Sequence, residues 1–170
     1  DKIKTQNIRK VAFDLRGNRG GNPACTEHII SYIIDDEINF YEDNDLNKRR
    51  NRPVAVAPKV NNISDLKIYM LTNGRCASAT GQMLAVVKHN QLATILGEES
   101  GGTYSTHPGR GVKALKNTKL GLQMGTERES VNVPKLDLDR GVIPDKIIKI
   151  ELIDLINDHD PLLNYILKNK

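Results

Sequence analysis

Apolar residues fall into short runs along this chain, and each run ends in a polar or glycine-containing loop. The clearest runs cover residues 8–15, 66–72 and 91–97. A short apolar run with loop residues on either side is typical of a strand that is buried on both faces. Apolar residues at helical spacing follow the first two runs, namely Ile29, Ile30, Ile33, Ile34, Met83, Leu84 and Val87. Strands that alternate with helices predict an α/β fold with a mainly parallel sheet flanked by helices.

The segment between the first helix and the second strand has no such pattern. Residues 35–65 are polar and irregular, which predicts an excursion over the surface. A short extended stretch within this segment, residues 53–58, has proline at both ends. Because proline cannot donate to a strand ladder, a strand formed here is expected at the edge of a sheet.

The last third of the chain changes character. Alternating apolar and polar residues at 113–124 predict a β-hairpin, and a further short strand is expected at residues 146–150. Asp160 followed by Pro161 is a typical helix start, because aspartate caps free N–H groups and proline fits the first turn. The sequence contains no repeat or low-complexity tract, so residues 1–170 are expected to form a single domain.

Composition and charge exclude several function classes. Of the 170 residues, 38% are hydrophobic and 27% are charged, which are the values of a globular domain. The net charge of +4 comes mostly from scattered Lys and Arg, and only 4% of residues are aromatic, so no nucleic-acid partner is expected. No apolar run approaches the roughly 20 residues of a membrane span. Cys25 and Cys76 have no metal-ligand spacing and are interpreted as two small, half-buried thiols, and no metal or cofactor is predicted.

Ser78 lies where the second predicted strand passes into the second predicted helix. A serine at such a turn is held exposed at the carboxyl edge of the sheet. The helix N-terminus there offers free N–H groups to a developing oxyanion. The small neighbours Ala77 and Ala79 leave room for a substrate carbonyl. Serine is also a common helix cap, so this position alone fits either a cap or a nucleophile.

A second candidate loop, residues 14–21, follows the first predicted strand. Its glycines, Gly17, Gly20 and Gly21, do not have the spacing of a dinucleotide-binding fingerprint. Taken alone, the loop fits a tight turn between a strand and a helix. In a parallel sheet, however, both loops follow carboxyl ends of strands and can lie side by side. One loop would then supply a nucleophile and the other an oxyanion donor.

Four segments together resemble the motifs of one enzyme family, in the same order. Residues 14–21 (DLRGNRGG) are similar to D-L-R-x-N-x-G-G, and residues 69–79 (YMLTNGRCASA) to the nucleophile segment v-L-T-N-x-x-x-x-S-A. Residues 96–102 (LGEESGG) are similar to G-e-x-T-x-G, and residues 141–145 (GVIPD) to the turn G-v-x-P-D. The family is that of the C-terminal processing (tail-specific) serine peptidases, and the motifs cover almost the whole chain.

This resemblance implies an α/β fold of the crotonase-like type and a serine endopeptidase that cleaves polypeptides near unstructured C-termini. Ser78 would attack the scissile carbonyl. The backbone N–H of Ala79 and that of either Gly20 or Gly21 would bind the oxyanion. Members of the family are mostly exported, so a periplasmic or cell-surface location is expected, with a polypeptide as the substrate.

The general base departs from the family pattern. Many members take it from a lysine in a T-F-G-K-G loop, and here the lysine position falls on Gly102. Relatives that resemble the tricorn core use a histidine from a segment N-terminal to this domain, and the loop here is more similar to theirs. The resemblance thus implies an N-terminal domain of the same, longer chain that supplies the base, and these 170 residues would be inactive alone. Within the chain, His107 is the alternative base.

Two further positions also differ from the relatives. The tricorn-like members have an assisting acidic residue just before the G-v-x-P-D turn. The matching position here is Leu138, so the neighbouring Asp139 becomes the candidate for that role. The family commonly has glutamate soon after the nucleophile, in S-A-x-E, where this chain has Gly81.

Two other functions remain open from the sequence. Retinoid-binding relatives keep the fold for ligand carriage, and the missing lysine favours such a non-catalytic binding module. A crotonase-type acyl-CoA enzyme would share the fold and the oxyanion donors, although no nucleotide-binding motif supports it.

Overall fold

The computed structural model describes residues 2–107, 111–125, 127–134, 136–137 and 139–169. The elements in chain order are α1 (Lys2–Thr5), β1 (Lys10–Asp14), α2 (Pro23–Ser31), β2 (Ile38–Asn39), α3 (Asp45–Arg49), β3 (Ala55–Val56), β4 (Lys67–Thr72), α4 (Ala79–Asn90), β5 (Thr94–Gly97), β6 (Ser105–Thr106), β7 (Val112–Ala114), β8 (Gly121–Gln123), β9 (Glu129–Ser130), β10 (Lys146–Ile147), α5 (Leu152–Ile156) and α6 (Pro161–Lys168). Within the described residues, none of the helices has the length and apolar character needed to cross a membrane.

The main sheet has four parallel strands in the order β1-β4-β5-β10. β1 and β4 pair along five residues, from Lys10 opposite Lys67 to Asp14 opposite Leu71. α2 lies in the connection from β1 to β4, and α4 joins β4 to β5, as parallel pairing requires a crossover. The predicted α/β fold with a mainly parallel sheet is confirmed, and its crotonase-like type stays a prediction.

Both faces of the central strands β4 and β5 are covered, whereas the edge strand β1 is only partly buried, with Ala12 exposed, and both residues of β10 are exposed. The larger core lies on the face of α2 and α4, where Met70 and Ile95 are fully buried. The opposite face packs against α6 through Leu71, Leu96 and Leu162. Because neither face meets water, β4 and β5 are apolar at nearly every position, which is why the sequence reads them as continuous apolar runs.

The segment 35–65 was expected to lie over the surface, and this prediction is wrong in part. Phe40 and Tyr41 are completely buried and their rings pack 4.8 Å apart between centroids. β3 does lie in a small antiparallel sheet, where it pairs only with β2. Isolated large side chains on an irregular segment have no periodicity, so their burial leaves no pattern in the sequence.

The carboxyl-terminal elements follow the prediction with shorter strands. The hairpin forms from β7 and β8, and Asp160 caps α6 by accepting hydrogen bonds from the N–H groups of Leu162 and Leu163. β5 begins later than expected because Gln91 adopts a left-handed conformation (φ 55°) that ends α4. The elements α1, β2, α3, β6, β9 and α5 were not predicted.

Candidate functional site

Ser78 occupies a strained backbone conformation between β4 and α4. Its φ and ψ are 54° and −130°, a region that non-glycine residues enter at a cost of about 1–3 kcal/mol. The residue stands at the N-cap position of α4, yet its side chain makes no capping hydrogen bond and is exposed. A serine that only capped the helix would accept from the first-turn N–H groups. The conformation instead leaves the hydroxyl free for another role.

The start of α4 supplies free hydrogen-bond donors beside Ser78. Within the described chain, the Ala79 N–H has no acceptor, as expected for the first residue of a helix. Further along, the Gln82 N–H donates to the Ser78 carbonyl at 3.0 Å and begins the helical ladder. An N–H group and the positive end of a helix therefore lie next to the serine.

The glycine loop of residues 14–21 lies directly against this turn. A Cβ on Gly20 would stand 2.7 Å from the Ala77 carbonyl oxygen, 2.8 Å from the Ser78 Cβ and 2.9 Å from the Ala79 nitrogen. The φ of Gly20 is also +91°, so both its space and its backbone exclude a side chain. The loop thus brings its backbone into contact with the candidate nucleophile, as the two-loop prediction requires.

Gly20 and Gly21 differ in what their N–H groups do. The Gly20 N–H donates to the Asn18 side-chain oxygen at 3.0 Å. The Gly21 N–H has no acceptor among the residues that the structure describes, and nothing stands within 4 Å of a Cβ placed on Gly21. Of the two candidate oxyanion donors, Gly21 is the one with a free N–H.

Asn73 ties the two loops together, a role that sequence reasoning did not assign. Its side-chain oxygen accepts from the Gly17 N–H at 3.0 Å and from the Arg75 N–H at 3.1 Å. The Ala77 N–H also donates to the Asn18 carbonyl at 3.2 Å. Asn73 belongs to the quoted nucleophile motif, so the motif was the available signal. These bonds hold the loops in one relative position.

The expectation that Cys25 and Cys76 are half-buried thiols is wrong. Neither is half-buried, since Cys76 is fully buried and Cys25 is exposed, and both thiols are free. The Cys76 thiol donates to the Leu15 carbonyl at 3.0 Å, which is a further link between the nucleophile turn and the glycine loop. A buried thiol, which a single methylene joins to the backbone, reaches the neighbouring loop only because the two loops lie close together, and no sequence pattern indicates this contact.

A third loop, which follows β5 and contains Gly102, also packs against the nucleophile turn. It explains why this chain has glycine at positions 102 and 81, where the family commonly has lysine and glutamate. A Cβ on Gly102 would lie 2.8 Å from the Ala77 Cα and 3.0 Å from the Ser78 nitrogen. A Cβ on Gly81 would in turn lie 2.7 Å from the Gly102 carbonyl carbon. The Gly102 N–H donates to the Cys76 carbonyl at 2.8 Å and fixes this approach. Backbone packs on backbone here, so neither glutamate at position 81 nor lysine at position 102 has room.

The turn at residues 141–145 supports this third loop. The buried Ser100 hydroxyl donates to the Gly102 carbonyl at 2.6 Å and accepts from the Val142 N–H at 2.8 Å. Asp145 accepts from the Ile95 N–H at 2.8 Å and pairs with Lys88. Asp145 therefore has a structural role at the start of β5, and Lys88 is already paired with it.

His107 and Asp139 are not brought into hydrogen-bond contact with Ser78. His107 is exposed just after β6, where its backbone lies against Gly125. Asp139 is exposed, and its N–H donates to the Asp137 side chain at 2.9 Å. Leu138 and residues 108–110 lie outside the described residues. The roles expected for His107 and Asp139 therefore stay predictions.

A buried charged cluster lies behind the first turn of α4. The Glu129 carboxylate pairs with Arg50 at 2.7 Å and with Arg52 at 3.4 Å, and the Glu129 carbonyl accepts from the Gln82 side chain at 3.1 Å. The hydrogen bond that Arg50 donates to the Glu129 carboxylate raises the pKa of Arg50. Sequence reasoning missed this cluster, because its arginines and glutamate lie more than seventy positions apart.

At the carboxyl end of β1, Arg16 joins the glycine loop to α6. Its guanidinium contacts the Asp14 carboxylate at 2.6 Å and the Asp160 carboxylate at 2.7 Å. The hydrogen bonds that the Arg16 guanidinium donates to the Asp14 carboxylate lower the pKa of Asp14 and raise the pKa of Arg16. The start of the loop is thus fixed by charge as well as by backbone bonds.

A cavity elsewhere in the molecule lies away from this site. It has a volume of about 750 Å³ and is lined by residues such as Ile8, Ile63 and Leu66, which precede β1 and β4. It therefore lies at the opposite edge of the sheet from Ser78. The described residues contain no group of three or more His, Cys, Asp or Glu that could hold a metal ion.

Comparisons with known proteins bear on the family and the fold of the chain. The model of peptidase family S41 matches residues 1–145, whereas no curated protein matches the chain. A protein from Parabacteroides merdae assigned as a peptidase shares the fold at 21% identity and a TM-score of 0.66, over 95% of this chain and 52% of that one. The photosystem II D1 C-terminal processing protease shares the fold at 19% identity and a TM-score of 0.61, over 87% of this chain and 36% of that one. The tricorn protease shares it at 20% identity and a TM-score of 0.54, over 94% of this chain and 14% of that one.

The chain spans about half or less of the length of these three structures. At such identities they show the fold alone. The family model, however, covers most of the chain, and the four motifs resembling a family of serine peptidases fall within the residues that it matches. This chain belongs to peptidase family S41.

Proposed function

We propose that this domain is a serine-type endopeptidase whose nucleophile is Ser78. The observation that carries the proposal is the strained, exposed and uncapped Ser78 at the start of α4. Backbone strain of this kind concentrates at functional sites, because the surrounding structure must hold it in place. Membership of a peptidase family supports the same reaction.

The oxyanion formed by attack on a peptide carbonyl would be bound by two backbone N–H groups. The Ala79 N–H supplies one, at the positive end of α4. The Gly21 N–H supplies the other, because Asn18 already engages the Gly20 N–H. Gly20 then serves as the residue whose missing side chain allows the two loops to meet.

The general base would come from outside these 170 residues. A lysine at position 102 has no room, and Lys88 is paired with Asp145. An N-terminal domain of the same, longer chain would place a histidine near the Ser78 hydroxyl, with Asp139 orienting it. The base accepts the hydroxyl proton as Ser78 attacks, and then donates that proton to the leaving amine. His107 is the alternative source of the base within the chain.

The substrate would be a polypeptide cleaved near an unstructured C-terminus, in the periplasm or at the cell surface. An extended and flexible chain can enter a site formed by three loops without first being unfolded. The likeness in fold to a C-terminal processing protease supports this choice.

Hydrolysis of an unstructured peptide by the full-length protein tests the proposal. Ser78→Ala should abolish cleavage, whereas Ser64→Ala should leave it unchanged. Ser64 is a matched control, because it precedes β4 at the far edge of the sheet, whereas Ser78 follows that strand. Cleavage that persists in Ser78→Ala contradicts the assignment of the nucleophile.

A non-catalytic binding module is the second candidate function. Gly102, where many family members have their lysine, favours it. Such a module would bind peptide without turnover, so a full-length protein that binds but never cleaves a peptide would support it. Turnover that depends on Ser78 would exclude it.

A further inference from the structure

Gln82 is a buried polar residue in the first turn of α4. It is 2% exposed and lies next to Met83 and Leu84, which are buried and apolar. A buried amide costs free energy unless it forms hydrogen bonds, whereas methionine would fill a similar volume without that cost. What glutamine adds is therefore its hydrogen bond, which the side-chain Nε2 donates to the Glu129 carbonyl at 3.1 Å.

The backbone of the same residue is bonded to Ser78. The Gln82 N–H donates to the Ser78 carbonyl at 3.0 Å and closes the first turn of α4. Glu129, which accepts from the side chain, lies in β9, 47 positions further along the chain. Gln82 thus connects the candidate nucleophile to a strand on another part of the fold.

The first turn of α4 needs contacts from outside the helix to hold it in place. Ser78 is strained, and its side chain makes no capping hydrogen bond. Gly81 also lies in this turn, and glycine lowers the stability of a helix because it loses more conformational freedom on folding. The backbone of Gly102, packed against Gly81, provides one outside contact. The bond from Gln82 to Glu129 provides a second, on a different element.

Glu129 is itself held firmly. Its buried carboxylate pairs with Arg50 at 2.7 Å and with Arg52 at 3.4 Å. Its strand β9 also pairs with β6, where Thr106 lies opposite Glu129. Because a carboxylate buried to this degree is stable only when it is paired, the two arginines keep this part of β9 in one position. The Glu129 carbonyl is therefore a rigid support for the start of α4.

We propose that Gln82 is a positioning residue of the peptidase site. Through its bond to Glu129 it holds the Ser78 hydroxyl and the Ala79 N–H at fixed positions beside the glycine loop. This role rests on the proposed function, because it concerns the attack by Ser78 on a peptide carbonyl. Donors stabilise an oxyanion only when they are already in place, and a displacement of about 1 Å can lower a rate about a hundredfold. Loss of the Gln82 bond should therefore lower kcat and leave KM unchanged.

Hydrogen exchange in the full-length protein tests the positioning without any assumption about activity. Gln82→Met keeps the side-chain volume and removes the donor. The backbone N–H groups at positions 80 and 82 should then exchange about three- to tenfold faster, whereas those of β4 and β5 should be unchanged. The matched control is Asn90→Ala, which removes a side-chain hydrogen bond of 2.9 Å to the Val86 carbonyl at the other end of α4. This control should leave exchange in the first turn unchanged.

Peptide hydrolysis by the same variants tests the catalytic consequence. Gln82→Met should lower kcat about tenfold or more with KM unchanged, and Asn90→Ala should match the unmodified protein. The proposal is overturned if Gln82→Met leaves exchange at positions 80 and 82 unchanged, if exchange rises equally in β4 and β5, or if kcat does not fall. If the unmodified protein cleaves no peptide, it is the proposed function that fails, whereas the exchange result alone still decides whether Gln82 fixes the turn at Ser78.

Discussion

Replacing Ser78 by glycine should stabilise the folded domain, because it removes strain at the turn before α4. A non-glycine residue at φ 54° and ψ −130° costs about 1–3 kcal/mol, whereas glycine adopts this conformation without strain. Glycine also has more conformational freedom in the unfolded chain, which offsets roughly 0.4–1 kcal/mol of that gain. The expected net stabilisation is about 1 kcal/mol.

Ser78→Ala is the matched control for this prediction. Alanine also lacks the hydroxyl but keeps a Cβ, so it retains the strain that glycine removes. In a domain of this size, 1 kcal/mol shifts the melting temperature by about 2–4 °C. Calorimetry should therefore place Ser78→Gly about 2–4 °C above Ser78→Ala, with neither variant active. A Ser78→Gly domain that melts at or below Ser78→Ala would refute the strain and its proposed role at the site.

Three other changes test how the loops are held. Gly20→Ala should destabilise the domain more than Gly17→Ala in urea unfolding. Both glycines have a positive φ that strains alanine, but only at Gly20 would the added Cβ collide with neighbouring atoms. Equal losses of stability would contradict the close approach of Gly20 to the turn at Ser78. Asn73→Ala should lose about 1–2 kcal/mol, because two loop N–H groups lose their acceptor; an unchanged urea midpoint would contradict this. Arg16 lowers the pKa of Asp14 below its ordinary 3.8, so the pair stabilises the fold above that pH and loses this contribution as the pH falls through the lowered pKa. Arg16→Gln should thus lower the free energy of unfolding by no more than about 1 kcal/mol at neutral pH, because Asp14 is half exposed and solvent screens the pair. In strong acid, where Asp14 is protonated, the substitution should have no effect. A loss of stability that persists in acid would argue against the pair.

The main sheet could be predicted from the sequence because burial on both faces leaves a continuous apolar run. β4 and β5 show such a run and are buried as expected. β1 shows an apolar run too, but the expectation that it is buried on both faces is wrong, because none of its residues is fully buried. The order of the three strands along the chain implies parallel pairing. Phe40 and Tyr41 show the limit of this reasoning. They are core residues on an irregular segment, where no period marks the buried positions.

The candidate site was predicted in outline, through the motifs at Ser78 and at residues 14–21. The choice between Gly20 and Gly21 depended on which N–H group Asn18 engages, and only three-dimensional geometry shows that. The pairing of Gly81 with Gly102 likewise joins positions that sequence spacing does not connect. Contacts between loops distant along the chain are therefore the part of the site that sequence patterns could not supply.

Covalent labelling by a fluorophosphonate, located by mass spectrometry, tests the role of Ser78 most directly. The probe reacts with activated serine nucleophiles, and the full-length protein provides whatever base the site uses. The expected result is a single adduct on Ser78, which is lost in Ser78→Ala and retained in the control Ser64→Ala. Equal labelling of the unmodified protein and Ser78→Ala, or an adduct on another serine, would contradict the assignment of Ser78 as the nucleophile.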